Sequence, residues 1–164
     1  MTKQSAEWQF LETRGELSAW LVGDISELLT PEPLFSKAVA AGQVTLDLSR
    51  VNRISSAGVR EWISLLKNLQ AAGVRVRLVN LAVVVVSQLN MISNFAAGAS
   101  VGSVQAPFFC EACDRHETKL FLVDPTLEAA VAATYPCSGC GKRLEFDDLP
   151  ERFLAFLRRD EARQ

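Results

Sequence analysis

Apolar and polar residues alternate through EWQFLETRGELSAWLVGDI (residues 7–25), with Arg14-Gly15-Glu16 as a punctuating turn, which predicts two antiparallel strands. The period then changes. Thr30 and Pro31 place a capping hydroxyl and a first-turn proline ahead of Leu34, Phe35, Ala38 and Val39, which share one helical face, and Gly42 is a natural stop. Residues 43–48 return to alternation, Val44, Leu46 and Leu48 against Thr45, Asp47 and Ser49. A tight polar loop leads into an amphipathic helix in which Val59, Trp62, Ile63, Leu65, Leu66 and Leu69 recur at helical spacing, closed by Gly73. A strand follows over 74–79. Residues 81–91, LAVVVVSQLNM, hold a conflict: four successive valines favour a strand, while the length and the placing of Leu89 and Met91 suit a buried helix. Strands and helices alternating about a sheet need a covering helix here, so a helix is predicted. Residues 93–98 read as a loop and 100–109 as an edge strand running into Cys110. Further strands are predicted over 118–123 and 143–146. A helix with Pro150 near its start and Phe153, Leu154, Phe156 and Leu157 on adjoining faces is predicted over 147–159, and the charged end 158–164 reads as a frayed tail.

These elements describe an α/β chain. Its 164 residues suit one packed domain and a small appendage, and a hydrophobic content of 49% supports a real core. The formal charge of −2 offers nucleic acid no basic field. The stretch from Pro107 onward is worse suited to it, with eight Lys and Arg against eleven Asp and Glu. The start, MTKQSAEWQF, lacks the apolar core of a signal peptide, and no apolar run reaches the roughly 18 residues of a membrane span. A soluble, cytoplasmic protein without a membrane or nucleic-acid partner is expected. Nothing marks an enzyme: there is no paired carboxylate in a recognisable loop, no histidine near a nucleophile and no phosphate-cradling glycine motif.

All four cysteines fall in two Cys-x-x-Cys pairs, Cys110 with Cys113 and Cys137 with Cys140, with 23 residues between the pairs. In a chain without an export signal this pattern favours metal over disulfides. Each pair clamps from one knuckle, and four thiolates close a tetrahedral shell around structural Zn2+, leaving no open position for a catalytic water. Gly139 and Gly141 suit the turning backbone of the second knuckle. A zinc ribbon over 107–149 is predicted, with the metal standing in for a core that so short a segment cannot build. His116, the one histidine, lies just beyond the first knuckle and reads as a surface residue rather than a ligand.

The loop before the long helix, Ile54-Ser55-Ser56-Ala57-Gly58, has two adjacent hydroxyls at a helix start. Either one is a good cap, because its oxygen accepts the first unpaired amides, and the same place suits a phosphate. LDLSRVNRISSAGVREWISLL (residues 46–66) resembles the signature of the STAS family, shared by sulfate transporters and bacterial anti-sigma factor antagonists: Asp47, Ser49, Val51, Ile54, Ser56, Ala57, Gly58 and Val59 match it in place. GELSAWLVGDIS and VRVRLVNL look like its earlier and later strands, and the resemblance spans residues 7–106. It implies a mixed sheet covered by helices over 1–106; the ribbon read from the cysteines takes 107–149, and a C-terminal helix and tail take 150–164. It also implies a non-enzymatic partner-switching module that binds a serine kinase or anti-sigma-type protein. By motif position Ser56 is the phosphoacceptor. Many phosphorylated members have Asp where this chain has Ser55, so both hydroxyls are candidates. The partner-binding loop would include Asp24, Asp47, Ser49, Ala57 and Gly58. The competing expectation is a scaffold that is not phosphorylated and binds a protein through the ribbon.

Overall fold

The computed structural model describes residues 6–161. Strands β1 (Glu7–Thr13) and β2 (Glu16–Ile25) form the expected hairpin, with Thr13 opposite Glu16 and Trp8 opposite Leu21. β2 pairs in parallel with β3 (Gln43–Asp47), β3 with β5 (Arg75–Val79), and β5 with β6 (Ser100–Val101). A further strand, β4 (Val51–Ile54), continues alongside β2 where β3 has ended. The mixed sheet thus has the order β1-β2-β3-β5-β6 with β4 off β2. Its buried face is written in the period-2 pattern: Leu17, Ala19, Leu21 and Ile25 of β2, Val44 and Leu46 of β3, and Val76 and Leu78 of β5 are all buried. Helices α1 (Leu34–Ala41), α2 (Ser56–Ala71) and α3 (Val83–Met91) supply the other side of that core, with Trp62 fully buried between the layers. The Trp62 indole N–H donates to the Phe95 carbonyl at 3.1 Å, so the largest side chain of the core is also satisfied.

The second sheet is antiparallel throughout and has the order β8-β7-β10-β9, from β7 (Ser103–Cys110), β8 (Arg115–Leu122), β9 (Tyr135–Pro136) and β10 (Arg143–Phe146). It is joined to the first without a linker. Gly102 donates its N–H to Leu78 and accepts that of Val123, and Leu81 bridges to Val104 with bonds to the Ser103 carbonyl (3.1 Å) and the Gln105 N–H (2.8 Å). Three short helices follow: α4 (Leu127–Ala132), α5 (Pro150–Phe153) and α6 (Ala155–Glu161). One continuous apolar cluster runs through both sheets.

Several expectations are corrected. Helix α1 starts at Leu34 without a side-chain cap, not at a Thr30 cap; Pro33 holds the N-cap position, and the residue before a proline is biased out of the helical region. Gly42 does end it, at φ 73°, donating to Ala38. Residues 51–54 are a strand rather than loop, hidden in the sequence because Asn52 and Arg53 are exposed. The single edge strand over 100–109 is two strands, the second lying inside a sheet with a neighbour on each side and running through residues 106 and 107. Helix α4 occupies what reads as a polar middle, burying Leu127 and Val131, and the C-terminal helix is broken at Leu154. The second sheet also has a core of its own: the Phe108 ring meets Phe121, Tyr135 and Phe146 with centroids 5.3–6.0 Å apart. Of the tail expected over 158–164, residues 162–164 lie outside the described residues. Among the described residues no helix is long and apolar enough to cross a membrane.

Two substitutions test this packing by urea denaturation. Trp62→Ala is expected to lower stability by about 3–5 kcal/mol, the cost of a large buried cavity. A Cβ at Gly58 would stand 2.1 Å from the Ile25 carbonyl oxygen, so Gly58→Ala is expected to cost about 1–3 kcal/mol through overpacking alone.

Candidate functional site

The start of α2 is built against the end of β2. Gly58 lies in contact with the backbone of Ile25 and Ser26, and Ser55 donates its N–H to the Ile25 carbonyl at 2.9 Å. This approach is why Gly58, the last residue of the loop, has no side chain. Ser55 has extended backbone (φ −87°, ψ 161°) and its Oγ accepts the Gly58 N–H at 3.0 Å, while its carbonyl accepts the Val59 N–H. Ser55 is therefore the N-cap, and its hydroxyl is spent on the helix. Ser56 is the first helical residue; it is exposed, and its hydroxyl makes no hydrogen bond among the described residues. The two serines that look equivalent in sequence differ in this way. Leu28, about half exposed at 46%, lies in the turn that follows β2, where its N–H donates to the Ser26 hydroxyl.

The remaining loop residues divide. Ala57 is half-buried and Gly58 buried in the α2 start, and Asp24 is half-buried on β2, where its Cα register partner is Arg53 of β4. Asp47 ends β3 and is committed to structure. Its Oδ1 accepts the Ser49 N–H at 2.9 Å and its Oδ2 accepts the Asn80 Nδ2 at 2.6 Å, which shapes the turn from β3 to β4. Asn80 has φ 53°, the left-handed region that asparagine tolerates better than most residues, and it is held there by Ser103. Neither Asn80 nor Ser103 stands out in the sequence. The signal for Asn80 was its place directly after a strand, where a left-handed residue turns the chain.

The four cysteine sulfurs gather into one cluster, all within 4.8 Å of one another, with Cys110 and Cys140 3.6 Å apart and Cys113 and Cys137 3.5 Å apart. Four thiolates around a tetrahedral ion with metal–sulfur bonds near 2.3 Å stand about 3.8 Å apart, so the donor set and its size fit a metal. Cys110 and Cys137 are buried, and Cys113 and Cys140 are exposed. Hydrogen bonding with Cys137, and then with Cys140, pushes the Cys113 thiol up to about 12. A bound cation reverses that sign, because coordination deprotonates a thiol.

The knuckles are braced from outside. Glu117 Oε1 accepts the Ser138 hydroxyl (2.7 Å) and the Ser138 N–H (2.8 Å), and these two bonds hold its carboxyl below the usual range. Gly139 donates its N–H to the Cys137 sulfur at 3.3 Å. A Cβ at Gly139 would meet the Arg115 guanidinium at 2.6 Å, which places a positive charge against the second knuckle. His116 stays outside the cluster, exposed, with its ring on Phe109 and its Nδ1 3.4 Å from Asp147.

Comparison with curated proteins finds no match. Among solved structures the chain is similar to Mglu, at 27% identity over 43% of this chain with a TM-score of 0.39, and spans 18% of the length of that protein. It is similar to a candidate anti-sigma factor antagonist from Thermotoga maritima, at 14% identity, covering 57% of this chain and 84% of that one with a TM-score of 0.45. It is also similar to the anti-sigma factor antagonist SpoIIAA in its unphosphorylated form, at 19% identity, covering 58% and 86% with a TM-score of 0.39. The STAS domain family matches residues 9–97, more than half of the chain and the stretch that holds β1 to β5, α1 to α3 and the Ser55–Ser56 pair. By that match over the motif-bearing sheet and helices, the chain belongs to the STAS domain family.

Proposed function

We propose that this chain is a bacterial regulatory STAS-domain protein that acts by partner switching, docking through the α2 start onto a serine kinase or anti-sigma-type protein and releasing it when Ser56 is phosphorylated. The observation that carries the reading is the division of labour at the loop: Ser55 is occupied as the cap, while Ser56 presents an exposed hydroxyl at the first helical position. A phosphoryl group there adds about −1.5 to −2 charge to a surface that also offers Leu28 for apolar contact. The helix itself tolerates that charge, since its first amides and its dipole favour an anion; an apolar partner surface does not. The protein works by binding, and four cysteines without a disulfide among them suit the reducing cytoplasm.

In this reading the cysteine cluster holds one structural Zn2+ through Cys110, Cys113, Cys137 and Cys140. Support comes from the all-sulfur donor set, the spacing of the sulfurs and the N–H of Gly139 aimed at Cys137. A second reading, a scaffold that binds protein through this module without phosphorylation, is favoured by Leu120 and Leu122, both more than half exposed on the edge strand β8.

Incubation with candidate serine kinases and mapping by mass spectrometry should find phosphate on Ser56 and not on Ser55; a loop left unmodified by every kinase rejects the switch. Ser56→Asp should weaken partner binding tenfold or more, about 1.4 kcal/mol, while Ser56→Ala keeps it. Equal binding by both variants selects the scaffold. Native mass spectrometry should record one zinc per chain, lost in Cys137→Ser, and folded protein that carries no metal would refute the zinc reading.

A further inference from the structure

We propose that metal loading of the four-cysteine cluster sets the order of the loop that carries Asp47, Ser49, Ser55 and Ser56, with Ser103 and Asn80 as the positioning residues that transmit it. The inference deepens the switch reading, on which its regulatory meaning rests. Ser103 is the one polar residue that is fully buried among those described, at 4% exposure. It opens β7, the strand that closes seven residues on with Cys110 of the sulfur cluster. The Ser103 hydroxyl accepts the Asn80 N–H at 2.7 Å and donates to Asn80 Oδ1 at 2.9 Å. Through Nδ2, Asn80 then holds the Asp47 carboxylate that shapes the turn into β4.

A hydroxyl buried in an apolar setting is costly without its partners, so Ser103 and Asn80 stay together only while β7 holds its place. Asn80 is the two-state element. Its left-handed backbone (φ 53°) is a minor conformation for a residue with a side chain, and once Ser103 moves away only Asp47, among the described residues, still holds that side chain. The same module grips α3 at its far end. Asn90 donates to the Phe153 carbonyl at 2.8 Å and accepts the Phe156 N–H at 2.9 Å, and α3 packs on β4, which leads straight into Ser55. On its inner side β7 is held at its start by two bonds to Leu81 and towards its end by β10, which pairs with it over two residues and directly follows the knuckle of Cys137 and Cys140. Metal among the sulfurs ties that knuckle to Cys110 at the end of β7, and its loss frees β10, β7 and the grip on Asn80 in turn.

Hydrogen–deuterium exchange of the full chain, with one equivalent of zinc and after chelation, reads the coupling without any kinase. Chelation is expected to speed exchange of the amides of Ser49 and Ser55–Gly58 by about fivefold or more, the low end of ordinary coupling between sites, while the β1–β2 hairpin is unchanged. Asn80→Gly keeps the left-handed backbone and removes the side-chain bonds; with zinc bound, its loop should exchange at the rate of the chelated protein. Ser103→Ala should do the same. An unchanged loop after chelation overturns the proposal, as does equal acceleration in the hairpin, which marks general unfolding. A variant Asn80→Gly whose loop still answers to zinc overturns it too. Absence of phosphate on Ser56 would reject the switch and leave this result standing.

Discussion

The contact between Gly58 and the Ile25 carbonyl is the constraint on which the loop depends. An α-helix that begins on top of a strand's backbone needs a residue without a side chain at the point of contact, and it needs its first amides satisfied within the loop. Both conditions are met by four residues. Ser55 bonds forward to Gly58 with its hydroxyl and backward to Ile25 with its N–H, so the helix start is tied to the sheet from two directions. Because that tie uses Ser55, the unbonded exposed hydroxyl falls to Ser56, and its placing follows from a packing requirement.

The C-terminal module answers a different constraint. Its aromatic cluster of Phe108, Phe121, Tyr135 and Phe146, extended to Phe153 by an edge contact at 5.3 Å, makes a core that the sequence did not advertise, since these rings lie far apart along the chain. The cysteines therefore do not replace a core. They join the turn before β8 to the turn before β10, and β10 pairs with each of its neighbours over only two residues. The cysteine cluster and the aromatic rings lie at opposite ends of the same small sheet.

Much of this was legible because it depends on local chemistry. The Cys-x-x-Cys spacing, the alternation through β2, β3 and β5, and the loop Ile54-Ser55-Ser56-Ala57-Gly58 each carry their meaning within a few residues. Val83 to Val86 were harder, since four β-branched residues favour a strand, and the need to cover the sheet decided for a helix. What escaped depends on partners distant in the chain. β4 is a strand because β2 extends beyond β3, and nothing in Val51-Asn52-Arg53-Ile54 states that. Ser103 is indistinguishable from a solvent-facing serine until Asn80, 23 residues earlier, is placed beside it. In α4, Leu127 and Val131 at helical spacing were the available signal, masked by acidic and small neighbours.

A strand that begins by bonding one sheet and ends as a ligand arm of another belongs to neither unit alone. β7 runs unbroken from Ser103 to Cys110, so any division of the chain between residues 106 and 107 leaves one fragment with a buried hydroxyl lacking its strand and the other with half a ladder. A cut that leaves β7 and its ladder whole has to fall ahead of Gly102, where the chain passes from one sheet to the next.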